Sequence, residues 1–328
     1  MAKRGIVIVN TGSPAAPTPE AVRAYLRDFL SDPRICPINP LCWKLILNAF
    51  ILPKRSVASA QKYASIWTPD GSPLTLIMGL LASRLQSVLD VADGGQSVVR
   101  SAMSYGAPSL EEAVEELYEA GVEELVAMPL YPQSAFSTTM VVRDKVEELI
   151  LKRECRLSVR IVEHYAECDA YIEAIARSIH ASGFDPSRDK VLFAFHSIPM
   201  KDIEAGDTYP DQVFSSATAI AARVGALEGC WSVGFQCRFD KSRRWLGPYI
   251  VESMEHLYDN VRPGQGRLFV VAPNFSIDCL ETLFDIEVEL RQTFFQRYPD
   301  AKKEDFVYVP CLNDSDDQVA LLTSLISA

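Results

Sequence analysis

The chain has 328 residues, 48% of them hydrophobic, which is enough for two domains with a core apiece. Lys and Arg number 32 against 43 Asp and Glu, a formal net charge of −11. That balance excludes the basic face of a nucleic-acid binder and suits either solubility or a cationic substrate.

Met1-Ala2-Lys3-Arg4 leads at once into the strand-like run 5–10 (GIVIVN). This leaves no room for the charged and apolar regions of a secretion leader. No apolar run reaches the ~20 residues that span a bilayer, so a cytoplasmic protein is expected. Thr18-Pro19-Glu20 opens a helix with a cap and a proline at its first position. Segment 41–53 (LCWKLILNAFILP) is apolar for a connection. It reads either as a buried helix, or as an apolar lip over a flat ligand or against a membrane surface. Strands follow at 98–105, 125–131 and 160–165, with a helix opened by Ser109-Leu110-Glu111-Glu112 and closed by Gly121. The second half repeats the alternation with strands at 191–195, 231–236, 268–273 and 306–310, and a last helix over 316–327.

Alternating strands and helices imply right-handed βαβ crossovers and parallel sheets. Two sheets of about four strands fit the length better than one of eight. The fold expected is therefore α/β, with two similar Rossmann-like domains, each a roughly four-stranded parallel sheet flanked by helices. The charged stretch 145–156 (KVEELILKRECR) marks the boundary. Domains are expected at 1–153 and 154–312, with a C-terminal helix in 313–328 packing back on the first.

Within this frame one stretch points to chemistry. Residues 191–196 (VLFAFH) run five apolar side chains into His196, and Ser197-Ile198-Pro199 stops the run. Such a strand is buried on both faces, and open parallel sheets bind ligands just beyond the carboxyl ends of their strands. The other histidines, His164, His180 and His256, lie in helical surroundings or on a weaker strand.

The strand 268–273 leads into a helix expected over 278–295, on which Asp278, Glu281, Asp285 and Glu289 are spaced 3, 4 and 4. At about 100° per residue they form one acidic stripe. Asp278 and Glu281 also suit a helix N-terminus, and the remainder a solvated face. A three-turn stripe without interleaved lysine accepts like-charge repulsion, as a path for cations or protons would. Imidazole with carboxylate suits a borderline divalent metal such as Fe²⁺. Eight cysteines are spread singly with no CxxC, so a zinc or iron–sulfur site built from close pairs is not expected. Neither a GxGxxG or Walker loop after a strand, nor a GxSxG elbow, nor an HExxH helix is present.

These motifs resemble those of the ferrochelatases. FHSIP (195–199) with GDTY (206–209) is similar to that family's histidine loop. FQCR (235–238) followed by Trp245-Leu246-Gly247-Pro248 is similar to its porphyrin-contacting segment. PNFSIDCLETLFDI (273–286) is similar to its acidic-helix signature. In the first half, 9–34, KRS to GSPL (54–74) and PLYPQ to STT (129–139) follow in the same order.

The resemblance implies insertion of Fe²⁺ into a porphyrin, protoporphyrin IX or coproporphyrin III, with release of two protons in haem biosynthesis. It implies His196 as the catalytic histidine and Glu281 as its partner carboxylate, both able to hold the metal. Asp278, Asp285 and Glu289 would then serve as a proton or metal relay. It places Thr11, Arg55, Tyr63, Ser72 and Trp245 against the porphyrin, in a cleft between the domains. Fe²⁺ is a substrate, no tightly bound cofactor is expected, and 41–53 is a candidate for peripheral membrane contact. With only Cys311 near the C-terminus, no [2Fe–2S] cluster is expected. Two other readings stay open: a chelatase for another metal or tetrapyrrole, such as cobalt, and a non-enzymatic tetrapyrrole carrier.

Overall fold

The computed structural model describes residues 3–153, 157–237, 243–262 and 264–328. Cys155 and Arg238, within the boundary stretch and the FQCR motif, lie outside the described residues. The chain divides into two compact units. The first comprises 1–131, 136–163 and 314–328, and the second 132–135 and 164–313. The division thus follows Glu163 rather than residue 153, because strand Ser158–Ile161 completes the first sheet.

The first unit runs β1 (Arg4–Asn10), α1 (Pro19–Ser31), α2 (Pro40–Ile46), a π-helical turn (Leu47–Ile51), α3 (Leu52–Ile66), α4 (Pro73–Asp93) and β2 (Ser97–Met103). It continues with α5 (Leu110–Glu119), β3 (Glu124–Pro129), α6 (Thr139–Arg153) and β4 (Ser158–Ile161). All four strands are parallel, in the order β2-β1-β3-β4. β1 is central, and Ile6, Val7, Ile8 and Val9 have no exposed surface. The expected caps are present: Thr18 Oγ1 accepts from Ala21 N–H, and Ser109 with Glu112 closes a capping box.

Gly12 follows β1 at φ +118°, where a Cβ would fall 1.8 Å from the Tyr105 carbonyl oxygen. Only glycine lets the β1 and β2 loops meet there.

The second unit runs α7 (Asp169–Ala181), β5 (Lys190–His196), α8 (Met200–Glu204), α9 (Tyr209–Val224), β6 (Trp231–Gln236), α10 (Ile250–Tyr258) and β7 (Leu268–Val271). It ends with α11 (Leu280–Leu283), a π-helical turn (Asp285–Leu290), α12 (Arg291–Arg297) and β8 (Phe306–Val309). Its strands are again parallel, in the order β6-β5-β7-β8. A Cβ on Gly234 of β6 would meet Ile250 Cα at 2.8 Å, so α10 lies directly on that strand. Below α12, Phe294 has no exposed surface and packs on Tyr258 and Phe306 at ring distances of 4.8 and 5.3 Å. The last helix, α13 (Asp316–Ser327), returns to the first unit and packs on α4.

Two expectations change. Segment 41–53 is not a buried helix: Leu41 is 78% and Phe50 71% exposed, with Leu45 and Ile46 open beside them. Its other side is covered: Leu47 and Leu52 are buried, and Trp43 Nε1 donates to the Leu30 carbonyl at 2.6 Å. Among the described residues α4 has the length and composition of a membrane-crossing helix, although no uninterrupted apolar run marks it in the sequence. Its Leu74, Met78, Leu81, Leu85 and Leu89 are buried in the first unit's core.

Candidate active site

The strand order of the second unit reverses between β5 and β7, and the carboxyl ends of such a pair flank the ligand crevice of open α/β sheets. β5 ends at His196. The Tyr209 hydroxyl, from the GDTY motif, donates to the His196 carbonyl at 2.9 Å and fixes the backbone there. His196 Nδ1 lies 2.6 Å from the Ser197 carbonyl oxygen. A carbonyl can only accept, so Nδ1 carries the proton and the neutral ring keeps its lone pair on Nε2. The ring is half-buried. Burial lowers its pKa below 6.5, and the Glu281 carboxylate and the Ser197 carbonyl partly oppose that shift.

The chain leaving β7 crosses over the end of β5. This follows from one contact, Gln236 Nε2 on β6 donating to the Glu281 carbonyl at 3.2 Å. β6 lies on the far side of β5 from β7, so the first turn of α11 passes above His196. Glu281 is half-buried, and its carboxylate acts on the imidazole. Cys279, which caps α11, is a buried thiol whose pKa is raised, first by burial and then by the Glu281 carboxylate.

Asp278 does not join the stripe. It precedes the helix and is 6% exposed. Its carboxylate accepts from the Tyr308 hydroxyl, Asn313 Nδ2 (2.7 Å), Thr282 Oγ1 (3.0 Å) and Cys311 N–H (3.4 Å). These bonds tie the start of α11 to the segment after β8.

The expectation of one straight helix over 278–295 is corrected as well. The Phe284 carbonyl accepts from both Val288 N–H (3.0 Å) and Glu289 N–H (2.9 Å), the second closing a wider π-helical turn. Rotation of 100° per residue therefore does not carry through to Glu289. Asp285, like Glu281, is half-buried, and Glu289 is exposed.

Trp245 is held against the same loop. Pro199 and Trp245 form a bridge, Leu246 N–H donates to the Ile198 carbonyl and Ser197 Oγ to the Leu246 carbonyl, both at 2.9 Å or less. The Arg243 guanidinium lies 5.1 Å over the indole. The other expected porphyrin contacts belong to the first unit. Thr11 Oγ1 bonds the Tyr131 hydroxyl at 2.8 Å just past β1. Arg55 and the buried Tyr63 lie on α3, and buried Ser72 caps α4. Sequence reasoning missed Gln236, Ser197, Tyr209 and Cys279 as neighbours of the histidine and its carboxylate. All four lie inside or beside the quoted motifs, which was the available signal.

Two parallel sheets thus share one strand order, and an imidazole on which a carboxylate acts stands at the switch point of the second. The solved SirB of Bacillus subtilis with Fe3+ shares this fold, with a TM-score of 0.57 at 10% identity over 99% of this chain and 94% of that one. The family described as Ferrochelatase matches residues 3–328, and the chain belongs to it. The ferrochelatase of Edwardsiella ictaluri is 38% identical over 99% of this chain and 98% of its own. That of Aromatoleum aromaticum is 38% identical over 99% and 87%. The protein is a metal chelatase of the lyase class, and its reaction is insertion of iron into porphyrin in haem synthesis.

Proposed function

We propose that His196 and Glu281 are the pair that takes the inner porphyrin protons and presents Fe²⁺ to the ring nitrogens. The bond from His196 Nδ1–H to the Ser197 carbonyl carries this reading, because it leaves Nε2 as the basic atom of a ring on which the Glu281 carboxylate acts. A porphyrin offers two N–H groups that block the metal. His196, neutral at pH 7, accepts one as a general base. The imidazolium formed is stabilised by Glu281, which passes the proton outward along Asp285 and Glu289. Asp278 takes no part in this relay; it clamps the turn that carries Glu281. Fe²⁺ replaces two protons, so ring charge is unchanged and both protons leave for solvent.

The macrocycle is proposed to contact Thr11, Arg55, Tyr63, Ser72 and Trp245, with Arg55 meeting a propionate bidentately. The mechanism uses no tightly bound cofactor, and Fe²⁺ enters as substrate. The protein would act in the cytoplasm, touching a membrane through 41–53. Its exposed Leu41, Leu45, Ile46 and Phe50 are apolar, and the span 40–66 carries Lys44, Lys54, Arg55 and Lys62 with no acidic residue.

His196→Ala should abolish Fe²⁺ insertion, followed by porphyrin absorbance, while porphyrin binding stays measurable; near wild-type turnover would sink the assignment. Supplying Fe²⁺, Co²⁺ and Zn²⁺ in turn with protoporphyrin, coproporphyrin and sirohydrochlorin defines the ring. Fe²⁺ with one of the first two is the expected pairing.

A further inference from the structure

Lys190 opens β5, and Cys230 stands immediately before β6 on the neighbouring strand. Val191 pairs with Trp231 in the parallel ladder, so Lys190 and Cys230 face each other one step ahead of it. Residues opposite one another in a sheet project from the same face. Both backbones are held: Val191 N–H donates to the Cys230 carbonyl and Cys230 N–H to the Leu227 carbonyl, each at 2.9 Å. Within this frame Lys190 Nζ lies 3.0 Å from Cys230 Sγ. The adjoining carboxylate of Asp189 is committed to Arg267 at 2.6 Å, while the Lys190 nitrogen is turned to sulfur. Lys190 and Cys230 are half-buried, whereas Cys36 and Cys279 are buried. An oxidisable sulfur and a nucleophilic nitrogen thus touch where a small oxidant reaches them. The pair lies apart from the His196 site, because β5 is seven residues long, about 20 Å from end to end.

We propose that Cys230 and Lys190 form a modification site, at which peroxide closes a covalent S–N link between the starts of β5 and β6. Peroxide first oxidises the thiol to a sulfenic acid: one oxygen passes to sulfur and one water leaves. The Lys190 nitrogen, having given its extra proton to solvent, then attacks sulfur. The S–N bond forms as the S–O bond breaks, and the hydroxyl leaves as water with a proton from nitrogen. Sulfur loses two electrons in all, and they reduce the peroxide. A nitrogen held at about 3 Å has the separation of a near-attack conformer, so this step outruns a second oxidation. The link keeps Cys230 from the irreversible sulfinic and sulfonic stages, and two equivalents of a thiol restore both side chains as they become a disulfide.

The full-length protein is treated with hydrogen peroxide, digested with trypsin without reductant and weighed by mass spectrometry. The peptides carrying Lys190 and Cys230 should appear joined, lighter by two hydrogen atoms than their sum, and dithiothreitol should separate them. A Cys230 that stays free, or that reaches sulfinic acid with Lys190 unlinked, overturns the proposal. So does a link placed by fragmentation on Cys237, which shares the tryptic peptide. Lys190→Arg keeps the positive charge but removes the amine. It should form no link, and its Cys230 should accumulate sulfinic acid about tenfold faster than wild type. Equal rates in the two proteins would show that Lys190 does not trap the oxidised sulfur. The wild-type measurement decides the matter alone if the variant does not fold.

Discussion

As the proposed base, His196 is tuned by burial on one side and by two neighbours on the other. Burial disfavours the imidazolium, while Glu281 and the Ser197 carbonyl favour it, and burial prevails. The ring should therefore titrate below 6.5 in an NMR pH titration of the four histidines. Glu281→Gln removes one of the opposing influences, so the midpoint should move lower still; an upward move would show that Glu281 does not face the ring. The same shift bears on folding. Between pH 6.5 and the lower folded value the unfolded chain binds more protons, so stability falls as pH drops through that window. The strand that ends in His196 was legible as an apolar run stopped by Ser-Ile-Pro, but the run alone left the histidine as readily a structural strand-end residue as a catalytic one. The bond from Gln236 to the Glu281 carbonyl was not legible, because it arises from pairing across a ladder, which the linear order of residues does not display.

At the level of elements, the acidic segment shows what periodicity conveys and what it hides. Spacing of 3, 4 and 4 suggested one stripe on one α-helix. The segment instead begins two residues later and widens into a π-helical turn at Asp285. No residue type announces a π turn, so the phase of Glu289 could not be read in advance. Asp278 looked like its neighbours only because a buried carboxylate bound by four donors has the same letter as a solvated one. The two roles separate on substitution. Asp278→Ala leaves four donors, one of them buried, without their shared acceptor and should lower stability by about 2 kcal/mol in urea unfolding. Glu289→Gln, at an exposed site, should stay within about 0.5 kcal/mol of wild type in the same measurement while slowing metallation. The reverse pattern would return Asp278 to the relay and remove Glu289 from it.

For the whole molecule, charge distribution matters more than net charge. A chain of net charge −11 should avoid anionic membranes, yet 40–66 concentrates four basic residues beside an exposed apolar surface. Apolar burial and local charge together suit an interfacial segment. The protein should co-sediment with phosphatidylglycerol-containing vesicles, and the triple change Leu41→Ser, Leu45→Ser and Phe50→Ser should release it. Binding that survives those changes would move the contact elsewhere. Composition suggested the segment's two possible fates, and only the fold showed that Leu41, Leu45, Ile46 and Phe50 stay exposed while Leu47 and Leu52 turn inward.

The shared strand order carries one more consequence. β1 and β5 occupy the same place in their sheets, and each ends at a switch point. β1 ends in Asn10, whose side-chain oxygen accepts from Thr11 N–H at 2.8 Å and so closes on its own loop. β5 ends in His196, whose Nδ1 is taken up by the Ser197 carbonyl at 2.6 Å. One wiring diagram is thus used twice, and what separates the two switch-point strands at their tips is the final side chain: an amide that closes on its own loop in one, and in the other the imidazole proposed as the base.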